Sequence, residues 1–266
     1  MNYYILLLCL IVMTVDARRM TVFKGDKIEN SSEFPFLAYL FLDKFACTGS
    51  LVSTKKVLTA GHCFCFQITY AQKYHAYVGL VDNEKTEKSY AFENIIMKPE
   101  YLQICQRHLK SETSSLISGH DLTMVTLAKN VQLSPFVSLG IMNFDDPVKK
   151  DTSVIVAGFG LDSSDAKKDI GLLKYGNLKV TDCLFSAEII QEMNDPICII
   201  HNSENIQNAD VGDSGGPLLL ASNKDIVGVV SGEKGAVVMT NGNKAQVRFD
   251  VYTRIRNCHK FIQENI

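Results

Sequence analysis

The sequence predicts an all-β protein, a barrel or a sandwich, and three observations carry that expectation. Short apolar, β-branched and aromatic runs recur after residue 17, segments rich in Gly, Asn, Asp and Ser separate them, and no repeat, linker or low-complexity stretch interrupts the chain. Short strands spaced by turn-forming residues suit a single β unit. Strands are expected at 36–42, 56–59, 123–127, 153–157 and 226–231. Two stretches read as helices instead. One covers 182–193, and the other covers 254–266, where Ile255, Cys258, Ile262 and Ile266 return to one face at spacings of three and four.

The 266 residues are 46% apolar and 21% charged, enough to form a core that needs no metal. Lys and Arg number 27 against 29 Asp and Glu. That balance gives no basic excess for nucleic acid and no acidic block of the disordered kind, so both classes are excluded.

Residues 3–15 are nearly all apolar and lead into Val15-Asp16-Ala17, with small residues at the positions a signal peptidase reads. A signal peptide over 1–17 is expected, although no Lys or Arg precedes the apolar run. The run is shorter than the roughly 20 residues a spanning helix needs, so a secreted protein with no membrane contact is expected. Cysteines pair in that compartment. Of eight, Cys9 leaves with the leader, and the odd remainder leaves at least one thiol free or bonded to another molecule. Asn30-Ser31-Ser32 is a weak glycosylation signal.

Three segments carry chemistry together: Thr59-Ala60-Gly61-His62-Cys63, Asp121-Leu122-Thr123-Met124-Val125 and Gly212-Asp213-Ser214-Gly215-Gly216-Pro217-Leu218. A lone His, or an Asp before a strand, is usually structural. A Ser flanked by glycines is more specific, because the backbone turns sharply there and brings N–H groups to a reacting carbonyl. A serine hydroxyl is a poor nucleophile near neutral pH and needs a base within hydrogen-bond reach.

With these residues in the order His, Asp, Ser, the sequence resembles the chymotrypsin-like (trypsin-fold) serine endopeptidases from Phe34-Pro35-Phe36 to Val251-Tyr252-Thr253-Arg254. The resemblance implies two antiparallel six-stranded β-barrels packed together with a C-terminal α-helix. It implies a catalytic triad of His62, Asp121 and Ser214, with the N–H groups of Gly212 and Ser214 as oxyanion hole. It also implies Cys47–Cys63 and Cys183–Cys198 bridges. The resemblance puts Cys65 and Cys105 in segments beside the cleft, where they either form a third bridge, leaving Cys258 free and buried, or do not. Asp213 is the expected partner of the amine freed on activation, and the protease domain is expected over 22–266 after a short propeptide, 18–21.

Several positions depart from the family. Asn208 stands where trypsin-like members have Asp, Ser231-Gly232-Glu233 replaces Ser-Trp-Gly, and Asp250 replaces a Gly. Asp250 either restores the missing pocket charge, giving cleavage after basic residues, or is a solvated loop carboxylate. At the activation site, Val22-Phe23-Lys24-Gly25 stands for Ile-Val-Gly-Gly. Cutting after Arg18 or Arg19 leaves extra residues, whereas cutting before Val22 requires cleavage after Thr21. Residues 100–120 are expected as a long loop draped over the cleft, and 235–249, with an Asn241-Gly242 turn, as an extra β-ribbon.

The expected function is a secreted serine endopeptidase of restricted, basic-leaning specificity. The alternative is a catalytically weak homologue that acts by binding. Protein or peptide substrates and protease inhibitors are the expected partners of a monomer. No cofactor or metal is expected, since no two-His zinc spacing lies beside a carboxylate, and Asp82, Glu84 and Glu87 either hold calcium or are merely solvated.

Overall fold

The computed structural model describes residue 22 and residues 25–43, 45–66, 68–80, 88–112, 115–145, 147–160, 172–201, 207–240 and 243–266. The leader, residues 18–21, Asp82, Glu84 and Glu87, and the Asn241-Gly242 turn lie outside them.

A short first strand, β1 (Asp26–Lys27), precedes the first barrel. The barrel strands are β2 (Leu37–Phe41), β3 (Ala46–Ser53), β4 (Lys56–Thr59), β5 (His75–Val78), β6 (Ser89–Met97) and β7 (Thr123–Leu127). They close in the order β2-β3-β4-β7-β6-β5. Leu40, Leu51, Leu58 and Val125 are fully buried. Along β3, six consecutive residues from Cys47 to Val52 are buried, so this strand is covered on both faces and loses the alternation of a half-exposed strand.

The second half is a sheet of β8 (Ser153–Gly158), β9 (Lys174–Lys179), β10 (Ile197–Ile200), β11 (Pro217–Leu220), β12 (Ile226–Thr240) and β13 (Asn243–Arg254). Its order is β1-β9-β8-β11-β12-β13-β10, with β1 added along the edge of β9 as a seventh strand. Val154, Val156, Ile197, Leu218, Val227 and Tyr252 fill its core. A closed six-stranded barrel and a second antiparallel sheet, with few helices and one of them C-terminal, make this the trypsin-like all-β fold. The β12–β13 ladder runs on past the sheet, pairing Gly235 with Arg248 and Ala236 with Val247, so 235–240 and 243–249 form the ribbon the sequence suggests.

Helix positions correct three expectations. Residues 100–120 begin not as a loop but as α1 (Pro99–Leu109), with Pro at its first turn and Tyr101 and Cys105 buried one helical turn apart. The 182–193 helix is shorter, α2 (Ala187–Glu192). Thr181 is held by a bridge to Cys198, and the Ser186 hydroxyl starts the helix by accepting from the Ile189 N–H. The C-terminal stretch starts as a 3-10 turn at Ile255–Cys258 and continues as α3 (His259–Asn265). Ile255, Cys258 and Ile262 are buried, but Ile266, expected on the same face, is past the helix end and 50% exposed.

Candidate active site

His62 sits where β4 ends, in a one-turn 3-10 helix, and Asp121 lies just ahead of β7, the strand paired with β4. Barrel closure therefore brings the two together. Asp121 is fully buried, while 21% of the His62 side chain stays exposed. The His62 backbone N–H donates to Asp121 Oδ1 at 2.9 Å, and Nδ1 lies 2.7 Å from Oδ2. A carboxylate only accepts, so the proton is assigned to Nδ1 and the Nε2 lone pair is left as a base. Burial lowers the imidazole pKa, but the charge and hydrogen bond of Asp121 together outweigh it, and the net displacement is above 6.5.

Asp121 is itself held. The Ser231 hydroxyl donates to Oδ2 at 2.7 Å, and the Thr253 hydroxyl donates to the Asp121 carbonyl at 2.9 Å, so β12 and β13 of the second sheet reach across to fix a residue of the first barrel. Tyr101, brought in by α1, packs beside Asp121 and donates its hydroxyl to the Leu116 carbonyl at 2.6 Å. Burial first, then Asp121, push the phenol pKa upward, so it stays a neutral donor.

Ser214 lies in the turn that leads into β11 of the second sheet and is tied to the first barrel. Thr48 N–H on β3 donates to the Ser214 carbonyl at 2.9 Å, beside Cys47, whose disulfide partner Cys63 follows His62. Gly215 has φ +79°, and a Cβ there would lie 2.0 Å from Thr59 Oγ1, so only glycine lets the serine turn pack on β4. Gly212 has φ +99°, and its carbonyl accepts from Thr48 Oγ1 at 2.8 Å. With that carbonyl tied back, the Gly212 and Ser214 N–H groups donate to no protein acceptor among the described residues. Unpaired donors beside a serine suit a developing oxyanion.

A family model described as Trypsin matches residues 23–262. The chain belongs to the trypsin family. It is similar to the cercarial protease of Schistosoma mansoni, with 30% identity over 78% of this chain and 78% of that one. It is also similar to phenoloxidase-activating factor 3 of Holotrichia diomphalia, with 28% identity over 91% of this chain and 72% of that one. Among solved structures, mouse brain neuropsin, a serine protease, superposes with TM-score 0.66 at 22% identity, covering 91% of this chain and 98% of that one, a likeness of fold.

Among the described residues of this trypsin-family chain there are three disulfides, Cys47–Cys63, Cys65–Cys105 and Cys183–Cys198, and Cys258 is a buried thiol. The second ties α1 to the segment after His62. Cys47, His62 and Cys63 bring their ligand atoms within 4.8 Å of one another, but both sulfurs are in a disulfide and cannot act as thiolates, so His62 is left as a lone donor.

Beside Ser214 opens a cavity of about 180 Å³, walled by Ala209, Asp210 and Val211 on one side and Val230, Gly232 and Glu233 on the other. Of the five expected pocket residues, Gly232 and Glu233 line it. Asn208 does not. Ser231 turns away to Asp121, and Ile117 packs toward Gly232, 3.1 Å from where a Cβ would be, in space a larger wall residue needs. Asp250 is neither in a loop nor solvated. It is on β13 and 1% exposed, with its oxygens engaged by His201, the Ala209 N–H and the Tyr252 hydroxyl.

Asp213 is fully buried. Its carboxylate accepts from Gly160 N–H at 2.9 Å and Asp210 N–H at 3.1 Å. Burial raises its pKa, those two bonds oppose it, and the charges of Asp210 and Asp250 push further, to about 7. Val22 is buried in the second core, its side chain against Gly25 and Gly176. Four residues here escaped sequence reasoning as parts of the site: Tyr101, His201, Thr253 and the buried Lys174 on β9, whose pKa is lowered by burial and Lys27 while the Asp213 charge opposes. The Pro99 helix-start signal could have placed Tyr101. Nothing local marks the other three.

Proposed function

We propose that this chain is a secreted serine endopeptidase that cuts peptide bonds through an acyl-enzyme on Ser214. His62 Nε2 takes the hydroxyl proton as Oγ attacks the carbonyl and later delivers it to the leaving amine, while Asp121 keeps the tautomer and stabilises the imidazolium. The Gly212 and Ser214 N–H groups hold the oxyanion, each donor worth about 3 to 4 kcal/mol of transition-state stabilisation. The observation that carries the reading is the double hold of Asp121 on His62, at 2.9 and 2.7 Å, in a residue with no exposed surface. An isolated structural histidine has no need of such a partner.

Further parts of the proposal are a leader over 1–17, removal of 18–21, a mature domain from Val22 to the C-terminus, and pairing of the new amine with Asp213. The burial of Val22 and the displaced acid Asp213 support them, and among the described residues no helix is long and apolar enough to cross a membrane. Substrates are proteins or peptides of restricted sequence, the protein works as a monomer, and protein inhibitors are further partners. The names of the two relatives, a cercarial protease and a phenoloxidase-activating factor, fit cleavage of other proteins.

The test is to collect the protein from the medium of expressing cells, determine its N-terminus, and treat it with a fluorophosphonate probe and a peptide library. Labelling of Ser214 with turnover is expected. Protein beginning at Val22 that shows neither belongs to the second reading, a homologue that binds without cutting, which the departure of Val22-Phe23-Lys24-Gly25 from the family pattern favours.

A further inference from the structure

The sequence holds a single Asn-X-Ser/Thr signal, Asn30-Ser31-Ser32, and the triad makes no use of it. It follows β1 in a short turn over Ser31–Glu33. Asn30 and Ser32 are exposed, as are Lys27, Glu29 and Glu33 around them. Ile28, Ser31 and Phe34 are buried and anchor the stretch, and the Ile28 N–H donates to the Leu173 carbonyl at 3.2 Å. Asn30 Oδ1 accepts from the Ser32 N–H at 3.0 Å. Its Nδ2, and the Ser32 hydroxyl, have no partner among the described residues.

We propose that Asn30 carries an N-linked oligosaccharide, attached at this exposed and unengaged Nδ2. The proposal rests on the secreted reading above, because the transfer takes place in the secretory compartment. There the carboxamide nitrogen displaces a lipid pyrophosphate from C1 of the first sugar of a lipid-linked oligosaccharide. The N–C1 bond forms, the C1–O bond breaks, the lipid pyrophosphate leaves with the electron pair, and one amide proton is lost. The signal needs Ser or Thr in its third place and excludes Pro from its second, and Ser32 and Ser31 meet both conditions. A glycan is bulky and hydrated, so the fold must leave its asparagine in water. Here the residues that hold the turn are the buried ones between the exposed ones, and a sugar on Asn30 displaces none of them.

The position also keeps the sugar off the cleft. Lys224 Nζ donates to the Glu33 carbonyl at 2.9 Å and stands 4.4 Å from the Phe34 ring centroid, so the signal lies beside the turn between β11 and β12. Ser214 is at the other end of β11, whose 4 residues span roughly 13 Å.

To test this, the full chain is expressed in a secreting eukaryotic cell line, and medium and lysate are both treated with peptide N-glycosidase. A gain in gel mobility is expected, with the asparagine of that peptide converted to aspartate by mass. Asn30→Gln and Ser32→Ala should abolish the shift, and Ser32→Thr should keep it. If a variant fails to fold, digestion of the parent decides. Parent in the medium with no shift overturns the proposal and leaves the secreted reading standing. A shift that survives Asn30→Gln also overturns it, because the sugar is then elsewhere. Parent found unmodified and only in the lysate means that its own leader fails. Residues 18–266 behind the leader of a secreted protein then settle the site: a shift upholds it, and unshifted protein in the medium overturns it.

Discussion

The ring of Tyr101 occupies the space a side chain on residue 61 would need: a Cβ on Gly61 would lie 2.3 Å from Tyr101 Cδ1 and 3.2 Å from Asp121 Oδ1. The glycine before His62 thus lets α1 close over the His62–Asp121 pair. Gly61→Ala should cost about 1 to 3 kcal/mol in a urea melt by overpacking, and should lower kcat/KM by moving His62. Adding Tyr101→Leu should restore part of both, which a double-mutant cycle measures.

Ser231→Ala removes the hydroxyl that donates to Asp121 Oδ2 at 2.7 Å. The buried carboxylate keeps its two bonds from His62 but loses a donor, and leaving a buried charged acceptor short costs about 1 to 3 kcal/mol. A ten- to hundredfold lower kcat/KM is expected, with Ser214 still labelled by the fluorophosphonate. An unchanged kcat/KM would show that Thr253 and His62 alone hold Asp121.

The serine turn and the His62–Asp121 pair were legible in the sequence because each depends on residue types tied to backbone or chemistry. Gly212 and Gly215 take positive φ, and Cys47 and Cys63 are placed by neighbouring strands. The His201–Asp250 pair was not legible. It is made by register between β10 and β13, and a His 49 positions from an Asp carries no local sign of pairing. Asp250 looked like a pocket or loop residue for the same reason. α1 stands where family likeness gives a loop, and its local marks are Pro99 at the start and the four-residue spacing of Tyr101 and Cys105.

Activity should rise with pH along the titration of His62. The general base must be neutral, and the Asp121 partner lifts the imidazole above 6.5, so kcat/KM should be lost as pH falls through that raised value. Asp121→Asn removes the lifting charge while burial remains. The imidazole should then titrate below its ordinary value, seen by NMR in a Ser214→Ala background, and kcat should fall by about four orders of magnitude as the tautomer is lost.

Cys65–Cys105 closes a separation of 40 residues, for which chain entropy gives about 4 kcal/mol. Cys65→Ser with Cys105→Ser should lower the urea midpoint. Because this bridge fastens α1, and so Tyr101, to the segment after His62, activity should fall more than after Cys183→Ser with Cys198→Ser, whose loop meets the Asp121 segment at Gly119, through Met193 and Asn194. Equal losses in the two pairs would remove α1 from any part in holding the site.

Asp213 makes the full chain sensitive to pH in a definite direction. Its pKa of 3.8 when exposed becomes about 7 when folded, chiefly by burial. The folded state therefore holds this proton more tightly than the unfolded chain, and stability falls as pH rises from about 4 to about 7, by up to about 4 kcal/mol. Asp213→Asn cannot ionise, so the difference in unfolding free energy between it and the parent should tilt toward the variant across that window and level off above it. Ser214→Ala in both proteins prevents self-cleavage during the urea titrations. Protein processed to begin at Val22 should lack most of the slope, because a cation beside Asp213 favours its charged form and draws its pKa back down. If the processed and unprocessed proteins keep the same slope, the Val22 amine does not reach Asp213.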